Sequence, residues 1–226
     1  MLDKIIIPTL SFFNNSEIDI NSNLAYIELL NKSSIKNIIL LGTTSEGVLI
    51  SLSQKEQLIK LYANNLDDNI NIILAPSLWS ISDFQYIINL ESRIKDILFL
   101  PNSYFNRKEN DLSDYLKKLF LNSDKNIYLY NLPKNTLVDF TPKLVTKLLE
   151  SGLNIKGIKL SHSNIDCIKN YKLINDFIVM YGSDKDINLA LLNGSNYVVS
   201  QNLSASLSNS LNVDNIQECA NKIRTF

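Results

Sequence analysis

Apolar residues recur along the chain in short continuous runs, each followed by a stretch in which they return every three or four positions. The runs are "KIIIPTL", "NIILLG", "NIILAP", "DILFL", "IYLYN", "IKGIKL", "FIVMYG" and "NYVVS". They are rich in β-branched and aromatic residues and do not alternate with polar ones. That pattern predicts strands covered on both faces. The stretches between them predict amphipathic helices. In "NSNLAYIELLNKS", Leu24, Ile27 and the Leu29-Leu30 pair share one side. "SQKEQLIKLYANNL" offers Ser53 as an N-cap with Glu56 three residues on, the spacing of a capping box. "DLSDYLKKLFLNS" spaces Leu112, Tyr115-Leu116 and Leu119-Phe120 by three and four. "TPKLVTKLLESG" opens on a Thr-Pro cap and stops at Gly152. "NIDCIKNYKLI" and "DKDINLALLNG" continue the series, the latter stopping at Gly194, and "NLSASLSNSL" is a weak last helix after the eighth strand.

Eight strand runs alternating with helices imply parallel pairing through right-handed crossovers. Eight units in just over two hundred residues match a (β/α)8 TIM barrel. An open doubly wound sheet is the rival, but it usually carries a Gly-rich phosphate loop after its first strand, and "PTLSFFNNSE" has none. The barrel is expected to span residues 1–211. "NVDNIQECANKIRTF" then reads as a short amphipathic helix over 212–226.

Composition narrows the function. The 226 residues are 45% hydrophobic with a formal charge of −1, enough for one ample core and without the charge that favours nucleic acid or an anionic membrane. No apolar run approaches the roughly 20 residues of a membrane span. Met1-Leu2-Asp3-Lys4 does not open a secretory leader. Cys167 and Cys219 lie far apart and read as reduced thiols of a cytoplasmic protein. The only histidine, His162, has no partner at metal-ligand spacing and reads as a loop residue, so no metal or cofactor is expected. The wealth of Asn, Ile, Lys and Leu looks like an AT-rich coding sequence, in which motifs drift.

In a TIM barrel the chemistry sits at the carboxyl ends of the strands. Strand two ends in Gly42, Thr43 and Thr44, strand four leads to Tyr104, strand five ends in Tyr130-Asn131, and strand six ends at Lys159. Lys159 has apolar neighbours Ile155, Ile158 and Leu160. Two readings stand side by side. It is a strand-end charge paired with a carboxylate such as Asp184, or an amine whose burial disfavours the ammonium and frees it to attack a carbonyl. A Schiff-base lysine needs a proton carrier, and Tyr130 on the adjacent strand end is placed for it. Tyr130 alone could equally be a core tyrosine. The Thr43-Thr44 hydroxyls suit a small carboxylate.

"GTTSEG", "YNLPKNT", "GIK" and "YGSD" together resemble, in order and spacing, the pyruvate-dependent class I lyase family, which includes dihydrodipicolinate synthase, N-acetylneuraminate lyase and 2-keto-3-deoxygluconate aldolase. The resemblance runs from "IIIPTL" to "VVSQNLSA". It implies pyruvate and a small aldehyde as partners and a homo-oligomer, dimer or tetramer. It also implies that Lys159 forms the Schiff base, with Tyr130 shuttling the carbinolamine proton and Thr43 linking it to a second tyrosine from a neighbouring subunit. Ungapped alignment puts Tyr104 there. A shift of one would put Phe105 there, which has no hydroxyl, so Tyr104 is taken. Thr44 and Gly42 would hold the pyruvate carboxylate, and the backbones of Gly182 and Val199 would line the pocket.

Four departures bear on the activity. Ser45 replaces a glycine of G-T-T-G-E, and Leu137 stands where glycine is usual. Asn135 occupies the place of the arginine that clamps the aldehyde's carboxylate in synthases, so the bidentate contact is replaced by a neutral donor. The family's C-terminal helical extension is mostly missing. The resemblance therefore implies a synthase acting on aspartate semialdehyde in diaminopimelate and lysine biosynthesis. The alternatives are another pyruvate aldolase, or a non-catalytic relative that binds a keto acid.

Overall fold

The computed structural model describes residues 2–101, 109–161 and 164–208. Eight parallel strands close a barrel: β1 (Ile5–Pro8), β2 (Asn37–Leu40), β3 (Asn71–Leu74), β4 (Asp96–Phe99), β5 (Asn126–Asn131), β6 (Ile155–Leu160), β7 (Ile178–Tyr181) and β8 (Tyr197–Val199). Each follows its neighbour in sequence, and β8 returns to β1 through the pairs Ile5–Val198 and Ile6–Val199. Helices α1 (Ile20–Lys32), α2 (Leu52–Asn65), α3 (Ile81–Ile88), α4 (Glu109–Leu119), α5 (Pro142–Glu150), α6 (Cys167–Tyr171), α7 (Ile187–Leu192) and α8 (Gln201–Ser208) follow the strands in turn. The (β/α)8 reading therefore holds, and α8 is the helix that "NLSASLSNSL" suggests. The span expected over 212–226 lies outside the described residues, as do Tyr104, Phe105, His162 and Cys219.

The continuous apolar runs exist because successive residues of each strand enter two different cores. Ile38 and Leu40 of β2, Ile72 and Leu74 of β3, and Ile158 and Leu160 of β6 point outward into the layer beneath the helices. Ile6, Ile39, Ile73, Leu98, Tyr128, Tyr130, Met180 and Val199 point inward and fill the barrel. Side-chain alternation along a strand makes the division. In the outer layer, Phe84 of α3 meets Phe120 edge-on at 5.3 Å between ring centroids.

The helix starts obey local chemistry. Asp19, Ser80, Thr141 and Asp186 each accept from a backbone N–H in the first turn of the helix they precede. For α2 the cap is Ser51 rather than Ser53, and the capping box is closed by Gln54 rather than Glu56. The two S-x-x-E/Q frames overlap by two residues. The earlier frame starts the helix, and Ser53 then sits inside its first turn with its hydroxyl 3.2 Å from that of Ser51. In α1 the buried stripe is Asn23, Tyr26, Ile27 and Leu30, with Leu24 and Leu29 only half-buried. Asn23 turns inward because its amide donates to the carbonyls of Phe12 and Asp19.

The amino ends of the strands carry a belt of amides. Asp96 accepts from Asn71 Nδ2 at 2.7 Å on one oxygen and from Asn126 Nδ2 at 2.8 Å on the other. Asn154 Nδ2 donates to Asn126 Oδ1 at 3.1 Å. The belt joins β3, β4, β5 and the residue before β6 at the foot of the barrel, opposite the strand ends that carry the candidate site.

Candidate active site

Tyr130 on β5 and Lys159 on β6 are register partners, and both face inward near the carboxyl ends of their strands. Each is buried, at 4% exposure. The Lys159 ammonium lies 3.9 Å from the centroid of the Tyr130 ring, a cation–π contact made away from bulk water. Among the described residues Lys159 makes no ion pair with a carboxylate. Asp184, the partner weighed for it above, instead accepts from Ser200 Oγ at 2.6 Å and from the amide groups of Asn202. The carboxylate ties the end of β8 to the start of α8.

Burial pushes the Tyr130 phenol up. The Lys159 charge, with the Thr43 hydroxyl and the polar groups of Ser161 and Lys159 nearby adding to it, outweighs burial and holds the group down at about 8. Tyr128, one step deeper on the same face, is driven well above the usual phenol range by burial and the Asp96 charge. Two tyrosines on one strand thus differ in acidity because only one has a cation beside it.

Thr43 reaches the same phenol, with Oγ1 3.5 Å from Tyr130 Oη. It does so from a 3-10 turn, Thr43–Ser45, that opens on Gly42. The turn is locked by its own backbone: Ser45 Oγ and Gly47 N both donate to the Gly42 carbonyl. Gly47 is the position that tolerates no side chain, since a Cβ there would stand 1.9 Å from the Leu41 carbonyl oxygen. Ser45, which replaces a glycine of the family pattern, keeps φ negative and sits buried with its hydroxyl bonded, so the exchange leaves the turn intact. Leu41, just before the turn, adopts φ 61° while fully buried, a left-handed conformation that redirects the chain as it leaves β2.

The remaining predicted positions divide. Gly182 follows β7, and a Cβ there would lie 3.4 Å from Lys159 Cε, so it borders the lysine directly. Val199 is buried in the same inner cluster as Tyr130. Thr44 is half-buried in the turn beside Thr43. Asn135 is exposed on the single helical turn Pro133–Thr136 after β5, and Leu137 takes φ 56° at its end, the left-handed conformation that glycine would fill at less cost. Ser161 was not among the predicted positions. It lies two residues beyond Lys159, on the same face of the strand, and that spacing is the one signal that could have found it.

A model of the dihydrodipicolinate synthetase family matches residues 1–218. The chain belongs to that family. The 4-hydroxy-tetrahydrodipicolinate synthase of Thermosipho africanus is 30% identical over 197 residues, covering 83% of this chain and 66% of that protein. The chain thus spans just under two thirds of the length of such relatives. The solved 4-hydroxy-tetrahydrodipicolinate synthase of Methylacidiphilum fumariolicum aligns at 21% identity and a TM-score of 0.82, over 98% of this chain and 76% of that one. The 2-keto-3-deoxygluconate aldolase of Picrophilus torridus aligns at 21% identity and 0.79, over all of this chain and 84% of that one. At such identities the two structures speak for the barrel.

Proposed function

We propose that this family member is a Schiff-base-forming lyase that captures pyruvate on Lys159 and condenses it with aspartate semialdehyde, the reaction of a 4-hydroxy-tetrahydrodipicolinate synthase. The reading rests on one observation above all: a buried lysine whose amine lies against the ring of a tyrosine of lowered pKa, at the carboxyl end of a barrel strand. In this mechanism Tyr130 as phenolate takes the proton of the Lys159 ammonium, leaving an amine beside a phenol. The amine adds to the pyruvate keto carbon. Tyr130 then returns its proton to the carbinolamine hydroxyl, which leaves as water as the iminium forms. Loss of a methyl proton yields the enamine that attacks the aldehyde. Thr43 passes protons between Tyr130 and Tyr104. Thr44 and Gly42 hold the pyruvate carboxylate, and Gly182 and Val199 shape the pocket. If Tyr104 serves a neighbour's pocket, a symmetric dimer is the smallest working unit.

Asn135 supports a second reading, a 2-keto-3-deoxygluconate type aldolase, because an exposed neutral amide replaces the expected guanidinium clamp. Borohydride reduction in the presence of pyruvate tests both, with a stable adduct expected on Lys159. Turnover with aspartate semialdehyde against 2-keto-3-deoxygluconate then separates them. An unmodified lysine after reduction removes the lyase reading altogether and leaves a keto-acid-binding role.

A further inference from the structure

Asp184 sits in the loop that leaves β7, two residues beyond Gly182, and is buried at 5% exposure. Its two oxygens meet three donors from the end of the neighbouring strand. Oδ2 accepts from Ser200 Oγ at 2.6 Å and from the Asn202 backbone N–H at 3.2 Å, and Oδ1 accepts from Asn202 Nδ2 at 3.2 Å. Ser200 is the residue after β8, and Asn202 lies in the first turn of α8. The ladder between β7 and β8 pairs Met180 with Tyr197 and Tyr181 with Val198. The carboxylate carries the connection on past those pairs, at the rim where both strands have ended. On either side the chain is already anchored through its backbone. The Gly182 N–H donates to the Leu160 carbonyl at 2.7 Å, and the Ser200 N–H donates to the Ile6 carbonyl at 3.1 Å. The acid thus spans two points, each fixed to the strand on its outer side.

We propose that Asp184 is a positioning residue, its carboxylate fixing the gap between the backbones of Gly182 and Val199 at the barrel mouth. The inference rests on the pyruvate-lyase reading, in which those two backbones line the pyruvate pocket. Gly182 borders the lysine, since a Cβ there would stand 3.4 Å from Lys159 Cε, and Val199 belongs to the inner cluster that holds Tyr130. A carboxylate suits the place because all three neighbouring groups donate, and an ionised acid only accepts. It also stands against the first turn of α8, whose unpaired N–H groups favour negative charge. The Ser200 hydroxyl that donates to the acid accepts in turn from the Leu203 N–H at 3.3 Å, so the clasp and the cap of α8 are one structure. With both oxygens engaged in that clasp, Asp184 acts through the backbone rather than on the substrate.

The test uses the full chain and three variants: Asp184→Ala, Asp184→Asn and Asn202→Ala. The rate of borohydride trapping is measured against pyruvate concentration, which separates the half-saturating concentration from the maximum rate. Hydrogen exchange is followed at the backbone N–H of Ser200 and, as a control inside β6, of Ile158. Asp184→Ala should raise the half-saturating pyruvate concentration about tenfold, the effect of losing a hydrogen bond to a charged group. Its maximum rate should stay within about twofold of the parent, because Lys159 and Tyr130 are untouched. The Ser200 N–H should exchange about tenfold faster while Ile158 keeps the parent rate. Asp184→Asn keeps an oxygen for Ser200 and the Asn202 N–H, and the Asn202 amide can turn over to accept from the new NH2, so it should restore most of both readouts. Asn202→Ala removes one link and should shift both in the same direction by less; it carries the reading if Asp184→Ala does not fold. A parent-like half-saturation in Asp184→Ala, or a loss confined to the maximum rate or the folded fraction, overturns the proposal. A parent that traps no pyruvate overturns the lyase reading instead, and exchange at Ser200 still decides whether the clasp holds the strand end.

Discussion

Lys159 and Tyr130 lie together as a pair, and on the proposed lyase reading single changes at either should have different signatures. Lys159→Arg keeps a cation over the ring but has no amine that can form an imine, so pyruvate trapping should vanish while the Tyr130 phenolate still titrates low. Tyr130→Phe keeps the ring and removes the proton carrier. Its trapping rate should fall at least about 10²-fold and lose the rise through about pH 8 that is expected of the parent. In the proposed mechanism the phenolate is the form that takes the lysine's proton, so a lowered phenol brings activity toward neutral pH rather than away from it. Position 47 makes a purely steric prediction. With the Leu41 carbonyl 1.9 Å from any Cβ, Gly47→Ala must unseat the turn that carries Thr43, costing about 3 kcal/mol of stability in denaturant unfolding together with pyruvate capture. Much of the pair was legible at this scale, because a lysine and a tyrosine at the ends of neighbouring apolar runs are visible in one chain. That Ser161 packs against Gly182 beside the lysine was not, since it needs the barrel closed to bring the ends of β6 and β7 together.

Elements, rather than residues, explain why the site keeps its shape. Asn131, next to Tyr130 but pointing outward, holds the chain after β5: its amide donates to Asp139 at 2.9 Å and its oxygen accepts from Phe140 N at 3.1 Å. Tyr171 of α6 donates to the Phe140 carbonyl at 2.7 Å and completes the clasp. Asn131→Leu would leave the buried Phe140 N–H without its acceptor while Asp139 turns to water, and a loss of about 1–3 kcal/mol is expected in chemical unfolding, with Tyr130 displaced as a consequence. Arg93 does comparable work for α2. Its guanidinium donates to the carbonyls of Ala63 and Leu66 at the end of the helix, and to those of Asp67 and Ile70 in the loop beyond it. Its ion pair with the fully exposed Asp68 adds little. Arg93→Ala should therefore lower the melting temperature while Asp68→Ala leaves it unchanged. Most helices were readable from period and caps, but α3 is not among the stretches singled out, and one cap was misplaced. Two overlapping capping frames at Ser51 and Ser53 are equivalent on paper, and only the start of α2 chooses between them.

At the scale of the whole molecule, strict alternation of buried runs and amphipathic stretches was enough to read the barrel, because a sheet sheathed on both sides makes the middle of each strand apolar on both faces. The second substrate was not readable, because it depends on what faces Asn135 across the mouth. If aspartate semialdehyde is used without the arginine, its KM should be high and salt-insensitive, and Asn135→Arg should lower it; an unchanged KM would show that the carboxylate is held elsewhere. The amide belt bears on assembly. β2 and β3 carry the same four residues, Asn-Ile-Ile-Leu, paired one to one. Hydrophobicity by itself can hardly tell such strands apart or stop one sliding past the other. Asp96 marks β3 apart from β2, being the acid that Asn71 of β3 and Asn126 of β5 reach at once. A sliding error would strand that acid without its amides in the closing wall, so the foot of the barrel proofreads the alignment on which the opposite rim depends.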